Sequence, residues 1–304
     1  VIVTVVAPKE AMDAMAPLVT AYRDKGYAVR HLATDGSVPD QKNLREIAGD
    51  SQALLVIGSS RRAPKTVLPG PVIATDDGRG VPAGWLPLVS IKHVARFAET
   101  AARVHRRQGD AQPVAVLSQW QSQYLRLAER VETLLTQQQQ PVFRWSSDLL
   151  LREDMVQGLR SGLAAAIYVG HGRPVGWVGY RGTRAHHFEE DGGEPLGVLF
   201  SLCCRTASRR RTGLSFAEAL PLLGVAGATI GSVTDTLHKN NARWAVGICA
   251  AMASGASTLG ELMLKAFPVG AQAVQDYRIL GDPLIPLRGA ADSIAAANAI
   301  QLHP

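Results

Sequence analysis

Two short segments of this 304-residue sequence carry side chains suited to acyl transfer. In the first, Tyr168-Val169-Gly170-His171-Gly172, a β-rich run ends in an imidazole set between two glycines. Glycine on either side allows tight turns and close approach of a substrate backbone. Imidazole is the side chain that gives and takes a proton near neutral pH. In the second, Phe200-Ser201-Leu202-Cys203-Cys204, an apolar strand delivers two thiols at its exit. A thiolate is a strong nucleophile, and a nearby imidazolium promotes its formation. Side chains alternate faces along a strand, so one cysteine should lie in the core and the other outside it. Neighbouring strands would bring His171 and a thiol to one crevice, with the N–H groups of Gly172 and Cys204 as candidate oxyanion donors. The plain structural alternatives are a surface-loop histidine and two core thiols acting as small hydrophobes.

Such residues belong at the carboxyl ends of the strands of a parallel α/β sheet, and the rest of the chain reads as one. Residues 1–7 are β-rich, 10–25 helical, 27–32 a strand, 40–49 a short helix and 53–57 a buried strand. That βαβαβ spacing predicts parallel strands covered by helices. Residues 64–83, rich in Pro and Gly, read as loop, and 90–107 as a long helix. After a break at 109–113 the rhythm restarts. Strands are expected at 114–117, 142–145, 165–169, 196–202 and 226–232, and helices at 124–135, 149–161, 216–223, 241–253 and 259–267. Two units follow: an N-terminal α/β subdomain over 1–111 and a catalytic subdomain over 112–304.

Bulk properties narrow the class. Hydrophobic residues make up 46% and charged residues 19%, a globular composition with ample core. Lys plus Arg exceed Asp plus Glu by 32 to 26, without any recognition module for nucleic acid. Three cysteines, two of them adjacent, do not make a disulfide scaffold and suit a reducing compartment, so a cytoplasmic location is expected. The opening VIVTVVAP is too short for a membrane span or signal peptide and lacks a basic flank. No membrane association is expected.

The two chemical segments and three later ones together resemble the gingipain-type cysteine peptidases, in the wider clan of caspases, legumain, separase and clostripain. The shared pieces are Tyr-x-Gly-His-Gly at 168–172, Phe-Ser-x-x-Cys at 200–204, Ser-x-Ala-Glu-Ala-Leu at 215–220, Gly-Ala-x-x-Gly-Ser at 227–232 and Leu-Gly-Asp-Pro at 280–283. Their order and spacing agree, and Asp76 and Asp77 fall in the family's acidic turn. The resemblance implies a three-layer α/β/α caspase-hemoglobinase-like fold, with a mostly parallel sheet and an N-terminal α/β subdomain. It implies a cysteine endopeptidase with Cys204 as nucleophile, His171 as acid–base, a thioester intermediate and a protein or peptide substrate. No cofactor or metal is implied, and the need for an activating cleavage or partner stays open. Two departures stand out. Arg205-Thr206-Ala207 replaces the glycine often found after the nucleophile. Around Gln119-Trp120-Gln121 there is no counterpart of the acidic residue that often orients the histidine.

For specificity, the resemblance places the loop after 227–232 beside the pocket for the residue before the cut. Asp235 there would receive Arg or Lys through a charge-assisted pair, and Trp177 and Trp244 are candidates for an apolar pocket wall. A solvated carboxylate and core tryptophans are the alternatives. Arg205 and Arg209 to Arg211 read as an exposed loop, a contact for an acidic partner or a site of self-cleavage. His186 and His187 beside Glu189, Glu190 and Asp191 resemble a metal cluster in composition, but their spacing fits no zinc pattern. Gly58-Ser59-Ser60 matches no phosphate fingerprint. Gly281-Asp282-Pro283 reads as a stiff turn and Cys249 as core. The rival functions are a weakly active or inactive scaffold that binds partners, a cysteine-dependent acyltransferase that resolves the thioester with an amine, and a nucleotide-binding domain.

Overall fold

The computed structural model describes residues 1–59, 68–107, 112–189 and 192–287, with 267–274 as helix backbone only. Ser60 of the serine turn, Glu190 and Asp191 of the His–acid cluster, the first residues of the loop begun at Pro64, and residue 111 at the subdomain boundary lie outside the described residues.

The chain opens with β1 (Ile2–Ala7), α1 (Lys9–Ala14), α2 (Ala16–Asp24), β2 (Ala28–Ala33), α3 (Gln41–Ala48) and β3 (Ala53–Ser59). The single helix expected over 10–25 is thus two. Pro17, in the first turn of α2, has no N–H with which to continue a helix begun earlier, and the chain breaks at Met15. Next come β4 (Val72–Ala74), β5 (Gly80–Leu88) and α4 (Ile91–His105). β5 corrects the reading of 64–83 as loop. Pro82, Gly84 and Pro87 disguise a largely buried strand, and Gly84 is required because a Cβ there would stand 2.1 Å from the Gly281 carbonyl oxygen. The α4 helix starts at Ser90, whose Oγ accepts the His93 N–H. Its stripe of Val94, Phe97, Ala98, Ala101 and Val104 is buried at helical spacing.

The second half runs β6 (Val114–Ser118), α5 (Ser122–Thr136), β7 (Val142–Ser146), α6 (Arg152–Leu159) and β8 (Ala165–Val169). A two-stranded hairpin follows, β9 (Gly172–Arg173) with β10 (Gly176–Trp177), and then the single turn α7 (Gly179–Gly182). The chain continues through β11 (Leu196–Leu202), α8 (Phe216–Leu222), β12 (Ala226–Ser232), α9 (His238–Ala253), α10 (Leu259–Gln275) and β13 (Tyr277–Gly281).

These strands form one sheet in the order β2-β1-β3-β5-β13-β12-β11-β8-β6-β7, with β4 antiparallel on β5. β13, which no sequence pattern announced as a strand, lies in its middle. It is parallel to β5 and antiparallel to β12, so the carboxyl ends of the two halves of the sheet lie on opposite edges. Helices cover both faces. On one side Leu18, Tyr22, Phe97, Val131, Trp244 and Ile248 pack against Val5, Leu55, Ile167, Phe200 and Ile279. On the other, residues of α6 and α8 cover β6, β8 and β11, and α3 covers β1 and β3. The layering is α/β/α. Among the described residues no helix is long and apolar enough to cross a membrane.

Candidate active site

β8 and β11 are adjacent and parallel, with Val169 opposite Leu202. Their exits therefore deliver His171 and Cys203-Cys204 to one place on the sheet edge. Gly172 shows how close the two loops come: a Cβ there would lie 2.5 Å from the Cys203 Sγ and 2.5 Å from the Cys204 carbonyl oxygen. Only a glycine lets the His171 loop rest on the two cysteines. The cysteines divide as strand alternation requires. Cys203 is fully buried, and burial pushes its thiol up to about 12. Cys204 is half-buried and His171 is exposed.

An aromatic layer beneath the loops ties the two motifs together. Tyr168 and Trp177 stack at 4.2 Å, and Trp177 meets Phe216 edge-on. The Tyr168 hydroxyl donates to the His171 carbonyl at 3.1 Å. The Trp177 indole N–H donates to Ser201 Oγ at 2.6 Å, and Ser201 Oγ lies 3.3 Å from Cys203 Sγ. The Tyr of the first motif and the Ser of the second thus hold the loops that carry the imidazole and the thiols.

The thiol of Cys204 faces the loop after β12. The Thr236 N–H points at Sγ from 3.3 Å, and Sγ lies 3.6 Å from the Thr236 carbonyl oxygen. Asn241 in α9 fixes this loop, donating to Thr236 Oγ1 at 2.9 Å and to the Leu202 carbonyl at 3.2 Å, while the Tyr277 hydroxyl donates to Asn241 Oδ1 at 2.9 Å. Asn241 and Tyr277 are buried. Neither stood out in the sequence, because their partners are distant along the chain and meet only once β13 enters the sheet. After Cys204 the chain turns through Arg205 at φ 59°. The Arg205 N–H is held by the Thr234 carbonyl at 3.0 Å. Among the described residues the Cys204 N–H has no hydrogen-bond partner, so it is available to a developing oxyanion.

His171 has two other contacts. Its backbone N–H donates to Gln119 Oε1 at 2.8 Å, and its Nε2 lies 3.4 Å from the Tyr124 hydroxyl. In the sequence Tyr124 stands only at the start of the helix expected over 124–135. No ion pair joins His171 to a carboxylate among the described residues.

The specificity candidates sit differently from one another. Asp235 is exposed and forms an ion pair with Arg205. Trp177 and Trp244 are both wholly buried. They are core side chains rather than pocket walls: Trp177 lies in the aromatic layer, and Trp244, on α9, packs near Tyr277. Of the arginine run, Arg209 is not a solvated side chain. It makes two hydrogen bonds to the buried Glu218, at 3.0 and 2.8 Å, and Glu218 also receives the Trp85 indole N–H at 3.1 Å. Arg210 and Arg211 are exposed. Recesses of about 640 Å³ along Arg126, Trp145 and Leu149, and of about 820 Å³ along Val175, Leu214 and Phe216, are not lined by His171 or Cys204.

The other polar clusters have local roles. His187 Nδ1 accepts the Arg184 N–H at 2.9 Å. The Ser59 N–H is taken by the Gly36 carbonyl at 2.7 Å. Asp77 bonds Thr75 and Arg79, which hold its carboxyl down at about 2. Among the described residues no group of three or more His, Cys, Asp or Glu side chains is arranged to hold a metal.

Residues 88–288 match the model of peptidase family C25. Comparison with curated proteins gave no match. Among solved structures, the chain is similar to the Arg-specific cysteine proteinase gingipain R (RgpB), with a TM-score of 0.78 at 14% identity over 93% of this chain and 77% of that one. It is similar to the mature-domain complex with the pro-domain of Porphyromonas gingivalis RgpB, with a TM-score of 0.76 at 16% identity over 93% and 79%. It also resembles separase in the Saccharomyces cerevisiae separase–securin complex, with a TM-score of 0.54 at 14% identity over 77% of this chain and 16% of that one. At these identities the structures establish a shared fold.

Proposed function

The chain belongs to peptidase family C25 and is a cysteine peptidase, and on that premise we propose that Cys204 and His171 are its catalytic dyad. The observation that carries this is the seating of Gly172 on the two cysteines. It brings an exposed imidazole and a half-buried thiol to one strand edge, with Thr236 N–H already on the sulfur. The Cys204 thiolate attacks the scissile carbonyl, and the oxyanion is met by the N–H groups of Cys204 and Gly172. His171, protonated by the thiol, passes that proton to the leaving amine as the C–N bond breaks. Water, deprotonated by the same imidazole, then hydrolyses the thioester and restores the thiol.

The substrate is a protein or peptide. A basic residue before the cut is the preferred specificity, with Asp235 as its acceptor. Arg205 occupies that carboxylate in the free enzyme, so an incoming guanidinium displaces a like group rather than desolvating a bare charge. Cleavage of a diverse peptide library by the wild type, Cys204→Ala, His171→Ala and Asp235→Asn tests both parts. The expected result is loss of cleavage in Cys204→Ala, a loss of about 10²–10⁴-fold in His171→Ala, and weakened preference for Arg or Lys in Asp235→Asn. Cleavage that persists in Cys204→Ala refutes the dyad. A preference unchanged in Asp235→Asn removes only the specificity assignment.

A further inference from the structure

Among the described residues the His171 ring meets a phenol and no carboxylate. The Tyr124 hydroxyl lies 3.4 Å from Nε2, and the two rings meet edge to face at 5.4 Å and 84°. The Tyr124 ring also meets the His238 ring edge to face, at 5.4 Å and 74°. The phenol thus contacts two imidazoles, one from the β8 exit and one from the first turn of α9. Tyr124 is only 6% exposed and sits in the first turn of α5, where its N–H is bonded to the Gln121 carbonyl. The nearby Gln119 is not free to take this part, because its side-chain carbonyl receives the His171 backbone N–H. Among the described residues Nδ1 of His171 has no hydrogen-bond partner.

We propose that Tyr124 is the positioning residue of the dyad, accepting the Nε2–H of His171 and so leaving Nδ1 unprotonated to exchange the proton with thiol and leaving amine. This assignment rests on the dyad reading above. An imidazole that must take a proton on one nitrogen needs the other to carry its N–H toward an acceptor, which fixes both tautomer and ring orientation. A hydroxyl can be that acceptor, and its bond strengthens when the ring becomes imidazolium. Burial raises the Tyr124 pKa above its ordinary value, helped by the nearby Cys204 and Cys203, so the ring faces a neutral phenol throughout the working range. The titratable groups around it are His171, His238 from α9, Cys203 and Cys204 from the β11 exit, and Tyr168 from β8.

Tyr124→Phe keeps the ring and both edge-to-face contacts and removes only the oxygen. Peptide hydrolysis is followed against pH for wild type and Tyr124→Phe, with thermal melts to verify folding. Iodoacetamide alkylation of Cys204 in wild type and His171→Ala serves as an independent measure of the dyad. The expected result is a kcat about tenfold lower in Tyr124→Phe, with KM within about twofold. The basic limb of kcat/KM should move to lower pH, because the imidazolium has lost an acceptor that favoured it. A normal dyad signature in the wild type with an unchanged kcat and pH profile in folded Tyr124→Phe overturns this assignment alone. Equal alkylation of Cys204 in wild type and His171→Ala overturns the dyad reading, and this assignment falls with it.

Discussion

The molecule places histidines at opposite edges of one sheet, in opposite settings. At the carboxyl end of β8, His171 is exposed, and its ring is touched by a phenol and by no carboxylate among the described residues. At the carboxyl end of β13, Asp282 accepts from the Tyr22 hydroxyl at 2.6 Å and lies 2.7 Å from His105 Nε2, and the side chains of the His–Asp pair are 1% and 0% exposed. Taken as residue types, the second cluster looks more like a catalytic apparatus. It is sealed, and it joins α2, α4 and the turn after β13, where Asp282 also accepts the Leu284 N–H at 2.7 Å. A His–Asp pair in that setting is a fastening, and burial raises its Tyr22 partner well above the usual phenol range. The imidazole proposed to react is the one left open to a substrate.

That contrast can be broken from either side. The largest expected effect is on stability. Asp282→Ala leaves the Tyr22 hydroxyl and the His105 imidazole buried without their acceptor, and should destabilise the fold by about 1–3 kcal/mol for each group left unsatisfied. In urea titration the midpoint should fall, while Cys204 in the protein that remains folded keeps its alkylation rate. A fall in that rate would mean the fastening also shapes the active edge. Gly172→Ala should do the reverse. Its Cβ would stand 2.5 Å from the Cys203 sulfur and the Cys204 carbonyl, forcing the loops apart on the scale that costs about 10²-fold in rate. Hydrolysis should drop by that order, with a midpoint shift smaller than that of Asp282→Ala. Normal kinetics in folded Gly172→Ala would mean the two loops need not touch.

Much of the active half was legible in the sequence. β8, β11 and β12 lie where their apolar runs and terminal glycines put them, since a buried parallel strand advertises itself as an unbroken hydrophobic stretch. β5 and β13 did not. The first carries two prolines and a glycine forced by the Gly281 backbone, and the second is a short YRILG whose neighbours β5 and β12 come from distant parts of the chain. The same limit applies around the dyad. Tyr124 lies 47 residues from His171 and reads in sequence as an ordinary helix aromatic. Trp177 and Trp244 drew attention as aromatic residues near the motifs, yet their indoles fill the core. Arg205 and Asp235 each carried a separate expectation, and their pairing across two loops appears only in three dimensions.

Which thiol and which imidazole react can be measured on the protein itself. The most direct measurement treats the folded wild type and His171→Ala with a peptide bearing an electrophilic ketone at its carboxyl end, and locates the adduct by mass spectrometry. Modification is expected at Cys204 in the wild type, with strong slowing in His171→Ala. Cys203, whose thiol is held up at about 12 by burial, should stay unmodified at pH 8. Modification at Cys203 instead, or equal labelling of Cys204 with and without His171, would contradict it.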